Sequence, residues 1–258
     1  MSNSALVLFF ELISVVGSGL LACKLLTSGL FRRYRFFFTY LVLRVPFITC
    51  SFFIDAKSSS YQKYFTVWEP LFLVFYILSV LELYGLVLEK HKGLYTLGRW
   101  AMYCATAISV TVSLLSLLPR ITPAMPQQSR IMGYLYATER GVDFSLALFI
   151  LLILLILSRY PVPLSRNVAV HAVVYSIFFL SDTLGLLLHN VFGLNLLRAI
   201  NLFLMGISSA CVVAWLVLLN AKGEEVQWST MQFGRGDEER ILLQLDSLNK
   251  TLLRASHK

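Results

Sequence analysis

Apolar residues in this chain occur in seven long runs, and charged residues, Pro and Gly collect in the shorter stretches between them. A helix needs about 20 predominantly apolar residues to cross a hydrocarbon core roughly 30 Å thick. An irregular backbone facing lipid would leave its polar groups without partners, so runs of this kind indicate helices. The pattern predicts seven transmembrane helices, near residues 5–26, 36–54, 65–88, 97–118, 133–157, 168–189 and 196–219.

The composition also favours an all-α integral membrane protein. Hydrophobic residues make up 57% of the 258 residues and charged residues 14%, whereas soluble domains contain about 25% charged residues. The mean hydropathy is +0.73. Seven spans with short loops would occupy residues 1–222, which leaves no room for a soluble catalytic domain, and residues 223–258 would form a tail.

The positions of the basic residues predict the orientation of the bundle. The formal net charge is +8, but the lysines and arginines lie mainly between apolar runs, which argues against nucleic-acid binding. One side of the predicted bundle carries ten basic residues and the other six, and the richer side is expected to face the cytoplasm. The N-terminus is then outside and the C-terminus cytoplasmic. The richer side holds Lys24, Arg32, Arg33, Arg35, Lys90, Lys92, Arg99, Arg159, Arg166 and Lys222, and the other holds Lys57, Lys63, Arg120, Arg130, Arg140 and Arg198.

The tail has its own pattern. Residues 223–236 are polar and are expected to be a flexible linker. Residues 237–255 are predicted to form an amphipathic or coiled-coil helix, with three acidic residues at its start. Its apolar positions follow heptad spacing over two repeats, which suits a homodimer contact or a cytoplasmic partner. The alternative is a helix lying on the inner membrane surface. The heptad positions are Ile241, Leu245, Leu248 and Leu252.

Small residues recur every four positions on the fourth and seventh predicted helices. Such ridges allow helix backbones to approach closely. We therefore expect these helices to pack tightly within the bundle, with homodimerisation as the competing use. The ridges are Ala101, Ala105, Ser109 and Ser113 on the fourth helix, and Gly206, Ala210 and Ala214 on the seventh.

Polar residues within the apolar runs are the candidate functional site, because ionisable groups at membrane depth are costly and by default indicate function. With the predicted orientation they lie towards the outer ends of five helices. They could line an outward-facing pocket for a proton, another cation or a small ligand, or they could form ion pairs that only fix helix register. The candidates are Glu11, Glu69, Glu139, Asp143, Asp182, Arg198 and Asn201.

Arg44 lies near the middle of the second span and needs a partner at that depth. The acids available are Glu82 and Glu11, and we expect an intramembrane charge pair between Arg44 and Glu82. His171 stands alone near one end of the sixth span, a position typical of a histidine whose ring nitrogens are hydrogen-bonded.

Several chemistries lack the residues they require. The seventh span has no lysine for a retinal Schiff base, and the four histidines are too dispersed for a zinc site. Nucleophile-elbow, zinc-protease and P-loop motifs are absent. We therefore expect no enzyme, no metal site and no cofactor. Spans one to three show no convincing repeat in spans five to seven, which leaves the small-residue fourth helix as the one feature that suits a transporter linker.

Four features together resemble a group of uncharacterised bacterial seven-helix membrane proteins. They are Arg44 in an aromatic second helix, the motif Trp68-Glu69-Pro70, the segment SRYPVPLSRN at 158–167, and the leucine-rich tail. The resemblance covers most of the chain. It implies a multi-pass protein of the bacterial inner membrane and implies no activity, ligand or site residue.

The sequence thus favours a membrane sensor, signalling or scaffolding component whose partners are the lipid bilayer, an unidentified small ligand or cation, and a contact through the C-terminal helix. The alternative is a small secondary transporter that uses membrane-embedded carboxylates. A purely structural subunit of a larger complex is the third interpretation.

Overall fold

The computed structural model describes residues 2–54, 58–88, 92–117, 127–159, 164–192, 197–225, 227–228 and 247. Within these ranges the fold consists of seven long helices, two short 3-10 helices and two strands of two residues each. Every predicted span coincides with one long helix. The helices are α1 (Ser2–Thr27), α2 (Arg35–Ser51), α3 (Ser59–Val87), α4 (Lys92–Leu117), α5 (Gln127–Arg159), α6 (Arg166–Phe192) and α7 (Leu197–Leu218).

Four of the helices in the described part of the chain are long and apolar enough to cross a membrane. The qualifying segments are Ala5–Thr27 in α1, Ser60–Val87 in α3, Arg166–Gly185 in α6 and Ala199–Leu218 in α7. This identifies a helical membrane protein. Segments of α2, α4 and α5 are not among these four, so the crossing of α2, α4 and α5 stays a prediction. Helix α2 has 17 residues, and α5 carries charged residues in its first half.

The order of packing follows the chain only in part. Helix α1 lies between α2 and α7, while α6 contacts both α5 and α7, and α3 contacts α2 and α5. Helix α4 packs mainly on α5. The largest fully buried side chains include Trp215, Phe37, Phe179 and Leu146, which come from four different helices. The core is therefore a single cluster inside the bundle, with α4 added at its edge.

The close approach of α4 and α5 depends on a glycine of α5. A Cβ at Gly141 would lie 2.7 Å from the Cα of Val110 and 3.0 Å from the carbonyl oxygen of Ser109. One turn further along α5, the hydroxyls of Ser145 and Thr106 are 3.0 Å apart. The sequence predicted tight packing of α4 from its own small residues, but the residue that permits the contact is on the partner helix.

Glu82 of α3 caps the start of α2. Its carboxylate accepts hydrogen bonds from the backbone N–H groups of Arg35 at 2.7 Å, Phe36 at 3.2 Å and Phe37 at 3.5 Å. The N-cap residue itself, Tyr34, makes no side-chain capping bond. The first N–H groups of a helix have no partner within the helix and form its positive dipole end, so a carboxylate there is doubly favourable. The predicted charge pair between Arg44 and Glu82 is therefore wrong, because this carboxylate is already engaged by the α2 backbone.

The cap gives a direct stability prediction. Replacing Glu82 with Ala removes a charged acceptor from three backbone donors, so we expect the free energy of unfolding to fall by about 2 kcal/mol. The measurement is reversible unfolding in mixed micelles followed by circular dichroism. Glu225→Ala, which removes an exposed carboxylate, is the matched control. Equal stability of the two variants would contradict the capping role.

The residues that follow α7 pack back on the bundle rather than leaving it. Residues 221–224 form a 3-10 helix, and strand β2 (Gln227–Trp228) pairs antiparallel with β1 (Leu164–Ser165). We call residues 220–225 and 227–228 the strap. The expectation of a flexible linker from residue 223 is thus wrong for this first part. The predicted tail helix 237–255, with Ile241, Leu245, Leu248 and Leu252, lies outside the described residues.

Candidate functional site: a buried acid cluster

Four carboxylates from three helices meet inside the bundle. Glu69 comes from α3, Asp182 from α6, and Glu139 and Asp143 from α5, where spacing by four residues places them on one face. Glu69 interacts electrostatically with Asp182, and Asp143 interacts with both. Glu139 interacts with the other three. We call these four residues the acid cluster. The structure therefore brings together four of the seven candidates that the sequence selected.

The cluster is buried and incompletely hydrogen-bonded. Glu69 is 7% exposed and Asp143 is 1% exposed. In the described part of the chain, one oxygen of Asp143 (Oδ1) and one of Glu139 (Oε2) have no hydrogen-bond partner although both atoms are buried. No group of three or more His, Cys, Asp or Glu side chains among the described residues is arranged to hold a metal ion. An unpartnered buried carboxylate is strongly unfavourable when ionised, so the cluster attracts positive charge.

Arg44 supplies a guanidinium beside this cluster. Its charge interacts with that of Asp182, yet its hydrogen bonds go to neutral groups, the hydroxyl of Tyr40 and the Ser208 Oγ, the latter at 2.8 Å. The Tyr40 hydroxyl is 3.5 Å from that of Tyr76. A guanidinium held by hydroxyls keeps its charge beside the acids without closing an ion pair with one of them. The carboxylates of the acid cluster therefore lie beside a fixed positive charge, that of Arg44.

Two of the other three candidates, Glu11 and Asn201, are not brought into the cluster. Glu11 of α1 is partly exposed, and its charge acts on Tyr61, as does that of Glu69, which places it beside the cluster rather than in it. Asn201 is exposed on α7. Arg198 belongs to α7, but its side chain lies outside the described residues.

A second polar network, which the sequence analysis missed, holds the strap to the bundle. The Glu224 carboxylate accepts hydrogen bonds from the Tyr34 hydroxyl at 2.6 Å and from the Asn167 Nδ2 at 2.8 Å, and it pairs with the Arg33 guanidinium at 3.1 Å. Asn167 also donates to the Asn220 carbonyl at 2.8 Å. Burial and the hydrogen bond to Glu224 raise the pKa of Tyr34, so its hydroxyl stays protonated and acts as the donor. The signal in the sequence was Asn167, directly after Arg166 at the start of α6.

His171 lies next to this network in an aromatic environment. Its ring centroid is 4.5 Å from that of Tyr34, 4.8 Å from Phe37 and 5.7 Å from Tyr175. Neither ring nitrogen has a hydrogen-bond partner among the described residues, so the expectation of a hydrogen-bonded histidine is wrong there. His171 and Asn167 share α6 with Asp182. Helix α6 therefore runs from the strap network to the acid cluster, over about 22 Å between Asn167 and Asp182.

Comparison of the chain with protein-family models, with curated proteins and with solved structures finds no match. Functional inference for this protein therefore depends on the geometry of the two polar networks.

Proposed function

We propose that this protein is a membrane sensor in which the acid cluster binds a cation, the proton being the simplest, and the strap communicates occupancy to the C-terminal tail. The observation that carries the proposal is the set of four mutually interacting carboxylates, of which Glu69 and Asp143 are buried, beside the Arg44 guanidinium held by neutral hydroxyls. Within the described part of the chain, Glu139 and Asp143 each have an oxygen without a hydrogen-bond partner. Excess negative charge in a low-dielectric interior is strongly unfavourable, so uptake of a cation stabilises the bundle.

The route from cluster to tail is supported by the position of α6. Asp182 lies towards one end of this helix, and Asn167, at the other end, donates to Glu224 and Asn220 of the strap. A shift or rotation of a packed helix by an ångström or two is a common allosteric motion. A change in charge around Asp182 that moves α6 would therefore reach the strap and the tail beyond it.

The proposal assigns the following topology and location. All seven helices cross the membrane, the N-terminus is outside, and the strap and the tail are in the cytoplasm, as the distribution of basic residues predicts. The membrane is the bacterial inner membrane, which follows the resemblance given above. The cluster then lies towards the outer side of the membrane.

The test uses full-length protein reconstituted in lipid vesicles. The exposed cysteines Cys23, Cys50 and Cys104 are first replaced with Ser. An environment-sensitive fluorophore is then attached at Glu225→Cys, within the strap. We expect its emission to change when the buffer is acidified. The same signal from protein labelled at the same position but carrying Glu69→Gln and Asp182→Asn would contradict the proposal.

A variant of the strap separates sensing from transmission. A Cβ at Gly223 would lie 2.2 Å from Oδ1 of Asn167, so Gly223→Ala must move either the Asn167 side chain or the strap, and either movement disturbs the contact between the strap and α6. We expect at least a severalfold loss of the fluorescence response, with proton uptake by the protein unchanged. Ala221→Ser, an exposed change in the same 3-10 helix, is the matched control. A full response in Gly223→Ala would exclude this route.

A second candidate function is a small secondary transporter, which is favoured by the oxygens of Glu139 and Asp143 that have no hydrogen-bond partner among the described residues. A transported cation needs ligands that are not already committed to structural pairs. Vesicles with an internal pH dye distinguish the two functions. Gradient-driven proton flux that disappears in Glu69→Gln would favour transport, whereas proton uptake without flux would favour the sensor.

A further inference from the structure

A groove lies between α4 and α6, with α5 as its floor, apart from the acid cluster and the strap. It has a volume of about 540 Å³, within the range of about 300–1,000 Å³ that is typical of small-molecule sites. We call it the α4–α6 groove. Helix α4 packs mainly on α5, which leaves a space between α4 and α6. The small residues Ala105 and Ser109 of α4 line this space.

The lining is apolar along most of its length and is open to the surroundings. Phe144 is 51% exposed and Leu148 is 55% exposed, and both lie on the floor. From Ser113 at one end to Ala105 at the other is eight residues of α4, about 12 Å. In a bilayer, such a surface is covered by hydrocarbon.

One end of the groove is polar. The guanidinium of Arg140 lies there and donates to the Ser113 carbonyl at 3.4 Å. Thr183 also lines the groove, and its buried hydroxyl has no hydrogen-bond partner in the described part of the chain. A guanidinium is the side chain best matched to a phosphate, and a hydroxyl without a partner favours a ligand with an acceptor oxygen.

We propose that the α4–α6 groove is a phospholipid site, with an acyl chain over Phe144 and Leu148, the phosphate at Arg140, and a glycerol ester oxygen within reach of Thr183. The pairing of a cation with one end of an apolar groove favours an anionic amphiphile over a second copy of the chain. The site is independent of the sensor or transporter function.

Native mass spectrometry of the delipidated full-length protein in detergent tests the site. The probes are phosphatidylglycerol and a diacylglycerol with the same acyl chains, which lacks the phosphate. We expect the protein to retain phosphatidylglycerol preferentially. Arg140→Gln should lower its retention about tenfold and leave diacylglycerol unchanged. Arg130→Gln, on the same helix but outside the groove lining, should behave like the unmodified protein.

A second pair of variants tests the acyl-chain part. Ala105→Leu fills the groove and should lower retention of both lipids, whereas Ala101→Leu, one turn away and outside the lining, should not. Retention of phosphatidylglycerol in Arg140→Gln equal to that in Arg130→Gln would overturn the proposal. So would an altered monomer–dimer ratio in Ala105→Leu with unchanged lipid retention, because it would assign the groove to a protein interface.

Discussion

Replacing Asp143 with Asn is expected to abolish the response to acidification and at the same time to make the protein more stable. Asp143 is 1% exposed and has an oxygen without a hydrogen-bond partner in the described part of the chain. It also interacts with two other carboxylates. Asn removes the negative charge at nearly constant volume, so the repulsion within the cluster falls. An increase of about 1–3 kcal/mol in the free energy of unfolding at neutral pH is the expected size of this change.

The stability gain and the loss of response are measured on the same purified variant. Unfolding is followed in mixed micelles, and the response is followed by fluorescence at Glu225→Cys in vesicles. The gain should shrink as the pH is lowered, because protonation of the carboxyl in the unmodified protein removes the same negative charge. Glu225→Gln, at an exposed carboxylate, is the control for stability and should change it little. A variant that is less stable at neutral pH and still responds fully would place Asp143 in a structural pair.

Gly141→Ala is expected to be one of the most damaging small substitutions in the described chain. Its Cβ would lie 2.7 Å from the Cα of Val110 and 2.9 Å from the nitrogen of that residue. These are backbone atoms, so relief requires α4 to move away from α5. Although Ala favours helix over Gly by about 1 kcal/mol, overpacking costs about 1–3 kcal/mol or more. Because the clash is with backbone atoms, the overpacking cost should lie at or above the upper end of this range, and the helix-propensity gain then leaves a net loss of stability of about 2 kcal/mol.

The matched control for this prediction is Gly19→Ala, also within a helix, where the nearest atom to the new Cβ is 4.0 Å away. This variant should keep or gain stability. A disulfide between Thr106→Cys and Ser145→Cys, whose native hydroxyls are 3.0 Å apart, reports the α4–α5 contact directly. It should form readily in the unmodified background and poorly with Gly141→Ala. Equal cross-linking yields in both backgrounds would show that this contact tolerates a side chain.

The helices were predictable because their signal is local. An apolar run of sufficient length needs no knowledge of its neighbours, and each of the seven runs corresponds to a helix in the structure. The shared face of Glu139 and Asp143 follows in the same way from helical periodicity. The cluster of four acids was predictable in part, because the predicted spans and orientation place these acids at a similar depth in different helices.

Partners between helices were not predictable. The sequence offered Glu82 as the acid for Arg44, but Glu82 is bound by the N–H groups of Arg35 and Phe36, 47 and 46 residues away. A separation of this size in the sequence does not predict which groups of two helices will meet in the bundle. The Arg44 guanidinium instead donates hydrogen bonds to the hydroxyls of Tyr40 and Ser208. Neutral donors and acceptors of this kind carry no sequence signal that distinguishes them from ordinary packing residues.

The strap is the clearest case of a segment whose partners could not be predicted from its own sequence. Its residues are polar and follow the last apolar run, so by composition they indicated a flexible linker. In the structure Glu224 joins Tyr34, Arg33 and Asn167, because the start of α2, the start of α6 and the residues after α7 meet there. The sequence by itself determined the seven helical segments and the charges they contain, since hydrophobic length and periodicity are properties of a single segment. Only the tertiary structure decided which charge meets which partner, since that depends on how the helices are arranged around one another.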